Sequence, residues 1–174
     1  MDINNKKQKH KRIIVIGPGG AGKSYFSKQL AAITNLPLIH LDNIFWKEDR
    51  THISREEFDE KLLKVLEQDK WIIDGDYSRT YELRIQYADT IYFLNFPLEV
   101  ALEGVKSRIG KPRDDIPWKE DVFDPEFKQW IIDWYENTQP WVYHLIDKYK
   151  DSKNIIVFKS REEMNSYLNT YNPK

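Results

Sequence analysis

Five short, mostly apolar runs alternate along the chain with segments whose apolar positions recur every three or four residues. The runs are residues 12–16, 38–41, 71–73, 90–94 and 155–158. The third run, Trp-Ile-Ile, is apolar throughout, as expected for a strand that is covered on both faces. Strands that alternate with amphipathic helices form βαβ units. The pattern therefore predicts an α/β fold with a parallel sheet.

The segments that separate these runs have helical periodicity. In the first of them, Phe26, Leu30 and Ile33 fall on one face of a helix. Because the other segments repeat this spacing, we predict five helices. They cover residues 23–35, 54–66, 98–109, 125–150 and 160–171, with boundaries that are approximate.

Two of these helices begin with the same start signal. Ser54 is followed three residues later by Glu57, and Ser160 is followed by Glu163. In such a capping box, the serine hydroxyl accepts a hydrogen bond from the backbone of the glutamate, and the glutamate side chain returns one. We therefore expect helices to begin at both serines.

A charged, turn-rich segment precedes the longest helix. Proline and aspartate interrupt any regular period in residues 110–124, for which we predict a mobile lid. Asp124 followed by Pro125 is typical of a helix start. Since Pro140 removes a backbone donor, we expect the long helix to be kinked or divided there.

Length and terminal composition predict one domain. The chain has 174 residues, which fits a single domain at residues 12–174. The five basic residues within residues 6–12 predict a flexible, solvated terminus at residues 1–11, although contact with nucleic acid is an alternative. The apolar stretch at residues 13–16 is too short for a signal peptide or a membrane span. We expect a cytoplasmic protein with no membrane partner.

Charge and cysteine content narrow the possible functions. Lysine and arginine number 27, against 28 aspartates and glutamates, so net charge does not favour a nucleic-acid partner. The chain has no cysteine, which excludes disulfides, a thiolate nucleophile and a cysteine-liganded zinc site. Because the total charge is balanced, any anion-binding site must be formed by a local group of residues.

A glycine-rich loop follows the first apolar run and precedes the first helix. Gly17, Gly22, Lys23 and Ser24 match the pattern G-x-x-x-x-G-K-[ST] in the strand and helix context that this pattern requires. Its backbone N–H groups and the helix N-terminus bind phosphates, Lys23 would neutralise the β and γ phosphates, and Ser24 would ligate Mg²⁺. The alternative is a glycine-rich turn without a ligand. The predicted ATP-binding residues are Gly17, Gly19, Gly20, Ala21, Gly22, Lys23, Ser24 and Tyr25.

Four segments of the chain, in order, resemble bacterial P-loop proteins known as DNA topology modulation proteins (FlaR-like), which are related to adenylate and shikimate kinases. The segments are IIVIGPGGAGKS, LPLIHLDNIFW, WIIDGDYSRT and YADTIYFLNFP. The resemblance covers about residues 12–170. It implies a P-loop NTPase fold of three α/β/α layers, with a five-stranded parallel sheet in the order 2-3-1-4-5 and a short lid. It also implies phosphoryl transfer from Mg-ATP to a small acceptor.

Two carboxylates follow predicted strands. Ligands bind outside the carboxyl ends of parallel strands, where Asp42 and Asp74 are expected. We assign Asp42 to the acceptor hydroxyl, as the resemblance to shikimate kinases implies; a cap after the strand is the alternative. Asp74 resembles the aspartate of the adenylate-kinase segment D-G-x-x-R-T, which implies contact with Mg²⁺ through water. The alternative for Asp74 is a turn-forming Asp-Gly pair.

Four arginines are candidates for binding phosphate or acceptor. Arg79 stands at the acceptor-binding arginine of the same D-G-x-x-R-T segment, with a surface position as the alternative, and Arg84 is a weaker candidate of this kind. Arg108 ends the helix before the lid and Arg113 lies within the lid. Either could fold over the transferring phosphate when the lid closes.

Aromatic residues have two predicted locations. Phe45, Trp46 and Tyr77 could form an apolar wall against an acceptor ring, with packing in the core as the alternative. A second set is expected on the packing face of the kinked helix: Trp130, Trp134, Trp141 and Tyr143.

These observations favour a kinase that uses Mg-ATP to phosphorylate a compact acceptor bearing a hydroxyl or monophosphate group. The alternative is a nucleotide-dependent regulator in which lid movement controls a partner and hydrolysis is slow or incidental. We expect a monomer or a homodimer, since the surplus of tryptophan would suit a subunit interface.

Overall fold

The computed structural model of the chain describes residues 10–171. Most of the predicted flexible terminus, residues 1–9, lies outside the described residues, as do residues 172–174. None of the helices within the described range is long and apolar enough to cross a membrane.

Five parallel strands form one sheet in the order β2-β3-β1-β4-β5. The strands are β1 (Arg12–Ile16), β2 (Leu38–His40), β3 (Trp71–Asp74), β4 (Thr90–Leu94) and β5 (Asn154–Phe158). Each strand lies within a residue of its predicted position. The α/β fold class and the strand order 2-3-1-4-5 are both confirmed.

Helices cover both faces of this sheet. Two of them, at residues 41–45 and 81–87, were not predicted, because they are too short to show a helical period. A 3₁₀ turn at Ser78–Thr80 leads into the second of these. The helices are α1 (Lys23–Thr34), α2 (Leu41–Phe45), α3 (Arg55–Leu66), α4 (Tyr81–Tyr87), α5 (Leu98–Arg108), α6 (Pro125–Asp133), α7 (Gln139–Tyr149) and α8 (Arg161–Asn169).

Both serine start signals are confirmed. The side chain of Ser54 accepts from the backbone N–H of Glu57 at 3.1 Å, and Ser160 accepts from that of Glu163 at 3.1 Å. The return bonds of a full capping box do not form. Glu57 pairs with Lys61 instead, and Glu163 accepts from the backbone of Lys159.

The long helix is divided as predicted. Asp124 caps its first segment, and Pro125 is the first residue of that helix. A π-helical turn at Trp134–Thr138 separates α6 from α7, and Gln139 N–H donates to the carbonyl of Trp134 five residues back. Pro140 has no N–H for the carbonyl of Glu136, so the regular ladder cannot continue through this point.

The aromatic residues of the divided helix do not form one packing face. Trp134 is buried, with 2% of its surface exposed. Trp130, Trp141 and Tyr143 are 43%, 40% and 47% exposed. The prediction that all four pack inward is wrong for these three, which are exposed.

The strands place alternate side chains into two hydrophobic clusters, one on each face of the sheet. Ile14 and Ile16 of β1 belong to one cluster, and Ile13 and Val15 belong to the other. Helices α3, α4 and α7 cover the first face, while α1 and α8 cover the second. The molecule therefore has three layers, and the carboxyl ends of its strands open at one edge of the sheet.

Candidate active site

A cleft of about 1540 Å³ lies at the carboxyl ends of the strands. Pockets for one small ligand are roughly 300–1,000 Å³, so the cleft has room for two small molecules. Gly17 and Ala21 do not line it: Gly17 packs against Leu94, and Ala21 is fully buried. The predicted site residues that do line it are Gly19, Gly20, Gly22, Lys23, Ser24, Tyr25, Asp42, Asp74, Arg79, Arg108 and Arg113.

The glycine loop presents the start of α1 to this cleft. Helix α1 has no side chain capping its N-terminus and no acidic residue in its first turn. No side chain of α1 itself therefore caps its first N–H groups or balances its positive dipole end. Gly20 has φ +80°, and a Cβ at this position would overlap the carbonyl oxygen of Ala101 on α5. Only glycine fits where the loop and α5 are so close.

Lys23 folds back over the loop. Its Nζ donates to the carbonyl oxygens of Gly17 at 2.9 Å and Pro18 at 2.8 Å. Burial lowers the pKa of Lys23 below its ordinary value, and the nearby carboxylates, that of Asp76 foremost, oppose this shift. The ammonium group is thus held at the loop by two carbonyl oxygens, and phosphate oxygens could accept the same hydrogen bonds in their place.

Ser24 is bound by a lid residue that sequence reasoning missed. Its Oγ donates to Asp115 Oδ2 at 2.8 Å. Arg113 donates to both oxygens of Asp115, at 2.9 and 2.6 Å. Although burial alone would raise the pKa of Asp115, the bonds from Arg113 and Ser24 lower it to about 2. The predicted magnesium ligand thus anchors the lid.

Both candidate lid arginines converge on one carboxylate, Glu120. Arg108 Nε donates to Glu120 Oε2 at 3.0 Å, and Arg113 Nη1 donates to the same oxygen at 2.7 Å. The guanidinium of Arg108 also lies 5.6 Å from the ring centre of Phe127. The structure therefore brings both predicted arginines to the lid side of the cleft.

The lid has no helix or strand between Arg108 and Pro125, as predicted, and it is docked across the cleft. Asn43 of α2 donates to the carbonyl of Asp114 at 2.9 Å, and Asp114 pairs with Lys28 of α1. Trp118 packs edge-on against Trp46 with ring centres 5.4 Å apart. The predicted mobility of this lid stays a prediction.

Asp42 lies in the first turn of α2 and faces a tyrosine. The hydroxyl of Tyr77 donates to Asp42 Oδ1 at 2.7 Å. Desolvation raises the pKa of Asp42 above its ordinary value, and the bond from Tyr77 opposes that shift. Tyr77 has a left-handed backbone with φ +40°. Non-glycine residues adopt this conformation at a cost, and such strain clusters at functional sites.

Asp74 ends β3 and is almost completely buried. Its Oδ1 lies 2.8 Å from Nδ1 of His40, a partner that was not predicted. Its Oδ2 is buried without a hydrogen-bond partner among the described residues. Such an orphaned acceptor is expected where an ion or water completes a site.

The residues present fit a magnesium ion. Ser24 and Asp74 supply oxygen atoms, the donors that Mg²⁺ prefers. Within residues 10–171, no group of three or more His, Cys, Asp or Glu side chains could hold a metal. Mg²⁺ usually takes one or two protein ligands and completes its shell with phosphate and water.

Asp76 is a further cleft residue that the sequence did not single out. Its Oδ1 accepts from Trp134 Nε1 at 2.8 Å and from the hydroxyl of Tyr81.

Arg84 is fully buried and donates to the carbonyls of Gly75 and Asp76. The suggestion that Arg84 binds the acceptor is wrong, because its guanidinium holds the loop after β3 from behind.

Arg79 lines the cleft, but its charge is already paired. Its Nη1 and Nη2 donate to the two carboxylate oxygens of Asp59 on α3, at 3.0 and 2.6 Å. Nothing in the local sequence predicts this pair, since the two residues are 20 positions apart.

Arg161, at the start of α8, supports the glycine loop and was also missed. Its Nη2 donates to the carbonyl of Gly20 at 3.0 Å and to that of Val100 at 3.3 Å. Its guanidinium lies 5.6 Å from the ring centre of Phe96. The loop is thus supported from behind by an arginine of the last helix.

No family model matches the chain, and no curated protein matches its sequence. Solved structures do match its fold. Shikimate kinase from Acinetobacter baumannii in complex with shikimate has a TM-score of 0.60 at 14% identity, over 98% of this chain and 99% of that chain. Shikimate kinase from Bacteroides thetaiotaomicron has a TM-score of 0.61 at 20% identity, over 92% and 96%.

A gluconokinase from Sinorhizobium meliloti 1021 has a TM-score of 0.55 at 14% identity, over 92% of this chain and 89% of that chain. Identities this low establish a shared fold, whereas function has to be argued from the site. The resemblance to DNA topology modulation proteins stays a prediction. The chain has the P-loop kinase fold.

Proposed function

We propose that this protein is a kinase that transfers the γ-phosphoryl group of ATP, with Mg²⁺, to a small acceptor bearing a hydroxyl group. The observation that carries the proposal is one cleft that contains both halves of such a site. The N-terminus of α1, which has no side-chain cap, and Lys23 lie in the same cleft as Asp42, a carboxylate with a raised pKa.

On the donor side, the N–H groups at the start of α1 bind the phosphates of ATP. Lys23 exchanges the carbonyls of Gly17 and Pro18 for phosphate oxygens, which gives its charge a stronger partner. Ser24 and Asp74 would hold Mg²⁺, which neutralises phosphate charge during transfer. Ser24 must first leave Asp115, so binding of Mg-ATP is coupled to movement of the lid.

On the acceptor side, Asp42 orients the hydroxyl group and receives its proton. The hydroxyl oxygen forms a bond to the γ-phosphorus as the bond from that phosphorus to the bridging oxygen of ADP breaks, and the proton passes to Asp42. Tyr77 fixes the carboxylate through the bond to Oδ1, so Oδ2 is the oxygen that accepts the proton. Arg108 and Arg113 are paired with Glu120 and Asp115, so they stabilise the charge on the transferring group only after movement of the lid exchanges these carboxylates for phosphate.

Nucleotide binding is tested by thermal and urea unfolding with and without Mg-ATP. At about a hundred times its dissociation constant, Mg-ATP should stabilise the fold by roughly 2.7 kcal/mol. Lys23→Ala should remove most of this gain, because it removes the cation at the loop. Lys64→Ala is the control, since Lys64 is exposed on α3. No stabilisation of the wild type by Mg-ATP would contradict the proposal.

Transfer is tested separately with Asp42→Asn, which preserves shape but removes the proton acceptor. Mg-ATP should stabilise this variant as it does the wild type, while phosphorylation of an acceptor should fall by about 10²–10⁴-fold. The measurement is product formation followed by phosphorus NMR or mass spectrometry over a panel of acceptors. Normal product formation would show that Asp42 does not catalyse transfer.

The second candidate is a nucleotide-dependent regulator, the cellular role that resemblance to DNA topology modulation proteins implies. The contact between Ser24 and Asp115 favours it, because a nucleotide that displaces this contact also moves the lid. Slow ATP hydrolysis that is unchanged in Asp42→Asn, without any phosphorylated acceptor, would favour the regulator over the kinase.

A further inference from the structure

The acceptor half of the cleft has an apolar wall of four aromatic rings. Phe45 lies 5.0 Å from Trp46 and 5.4 Å from Tyr77, measured between ring centres. Trp118 of the lid continues the wall at 5.4 Å from Trp46. All four side chains line the cleft, and Phe45 and Tyr77 also pack against the hydrophobic core. Neighbouring rings are nearly perpendicular, with interplanar angles of 86° for Phe45 and Trp46 and 88° for Trp46 and Trp118, so the wall offers ring faces and ring edges against which an aromatic or other ring can pack.

The carboxylates of this half are held by neutral donors. Asp42 accepts from the hydroxyl of Tyr77, and Asp76 accepts from the hydroxyl of Tyr81 and the indole of Trp134. These hydrogen bonds orient the carboxylates without cancelling their charge. The acceptor half therefore presents negative charge towards its ligand, which favours partners that are not anionic.

The two arginines on this side have different partners, and only the charge of Arg79 is neutralised by a carboxylate. Arg79 donates through both terminal nitrogens to Asp59, the two-pronged geometry that would otherwise grip a carboxylate or phosphate. Arg50 lies over the ring of Trp118 at 5.8 Å from its centre. An anionic acceptor would have to displace Asp59 while lying close to Asp42 and Asp76.

We propose that the acceptor is an uncharged, ring-bearing hydroxyl compound, and that the pair between Asp59 and Arg79 discriminates against acceptors carrying a carboxylate or phosphate. This inference rests on the proposed function, and it narrows the acceptor to neutral compounds. The ring packs on Phe45, Trp46 and Trp118, and its hydroxyl group faces Asp42. Asp59 is a specificity-determining residue because it occupies the guanidinium of Arg79, which would otherwise bind an anion in a two-pronged geometry.

The test uses pairs of acceptors that are alike except for an anionic group. Suitable pairs are a nucleoside with its 3′-monophosphate, which keeps the 5′-hydroxyl group, and glucose with glucuronate, which keeps the ring. Wild-type protein should phosphorylate the neutral member of at least one pair more efficiently than its anionic member. Binding of each member in the presence of a non-hydrolysable ATP analogue, measured by calorimetry, gives a second readout that does not require turnover.

Asp59→Asn tests the role of the ion pair directly. It frees the guanidinium of Arg79, so kcat/KM or affinity for the anionic member should rise by about tenfold, the gain of one charge-assisted contact. Values for the neutral member should change by less than about twofold, since Asp59 is outside the catalytic machinery. Glu60→Gln is the matched control, because it removes the same charge from the next position of α3, where the side chain is exposed.

A wild-type preference for the anionic member, or no preference in any pair in either readout, would overturn the inference. So would an Asp59→Asn variant whose discrimination equals that of Glu60→Gln. The proposed function fails in a different way. In that case Mg-ATP does not stabilise the wild type, or Lys23→Ala does not reduce the stabilisation, whatever the acceptors do.

Discussion

At the scale of single residues, the chemistry of the cleft depends on how each charge is partnered. Lys23 is held by two carbonyls, Asp42 by a phenol and Arg79 by a carboxylate. Carbonyls and a phenol leave the charge of their partner available to a ligand, whereas a paired carboxylate neutralises it. Lys23 and Asp42, to which we assign the donor and acceptor sides, therefore keep charges that a ligand can use, whereas the charge of Arg79 is neutralised.

The raised pKa of Asp42 predicts the pH dependence of transfer. Asp42 must be ionised to accept a proton, so kcat/KM should fall on the acid side with a midpoint above 3.8, the ordinary value. Asp115 and Asp74 raise this pKa further and Lys23 lowers it. Tyr77→Phe removes the hydrogen bond that lowers the pKa, so the midpoint should move to higher pH.

The measurement for Tyr77→Phe is the pH profile of kcat/KM with a neutral acceptor. Tyr143→Phe is the control, because Tyr143 is 47% exposed, its hydroxyl accepts from Asn95, and the residue is outside the cleft lining. A midpoint that stays fixed, or that moves to lower pH in Tyr77→Phe, would contradict the assigned role of this hydrogen bond.

At the scale of elements, the glycine loop depends on the close approach of α5. Gly20→Ala should cost roughly 1–2 kcal/mol for the left-handed backbone, plus the overlap of the new Cβ with the carbonyl of Ala101. Gly110→Ala should show the backbone cost alone. Gly110 has φ +76°, and the nearest atom to its added Cβ, on Lys119, is 4.0 Å away.

The free energy of unfolding in urea measures this difference. Gly20→Ala should be the more destabilised variant, and it should also lose stabilisation by Mg-ATP, because the loop has to shift away from α5. Gly110→Ala should keep that stabilisation. Equal destabilisation of the two variants would mean that the contact between the loop and α5 has no energetic role.

At the scale of the whole molecule, the sequence predicts the fold better than the site. Fully apolar strands such as residues 71–73 need no tertiary information, and the end of each strand predicts where Asp42 and Asp74 lie. The resemblance to P-loop kinases supplied the strand order. Local sequence patterns, combined with the strand order that the resemblance implies, were therefore sufficient to predict the three layers and the position of the glycine loop.

The partners of the charged residues could not be predicted from local patterns. Asp115 lies 91 positions from Ser24, and Asp59 lies 20 positions from Arg79. Such pairings depend on how a lid or a helix docks. The cleft is lined by several arginines and several carboxylates, so the sequence does not show which arginine pairs with which carboxylate. The sequence therefore identified Ser24 and the arginines as candidates. Their hydrogen bonds to Asp59, Asp115 and Glu120 became known only from the folded structure.

The support that Arg161 gives to the glycine loop has a consequence for synthesis of the chain. The guanidinium that holds the carbonyl of Gly20 belongs to a residue 141 positions later. A nascent chain that has not yet been extended to α8 lacks this donor, although the strand and glycines of the loop emerged long before. The glycine loop thus acquires its full set of hydrogen bonds only after α8 has been synthesised.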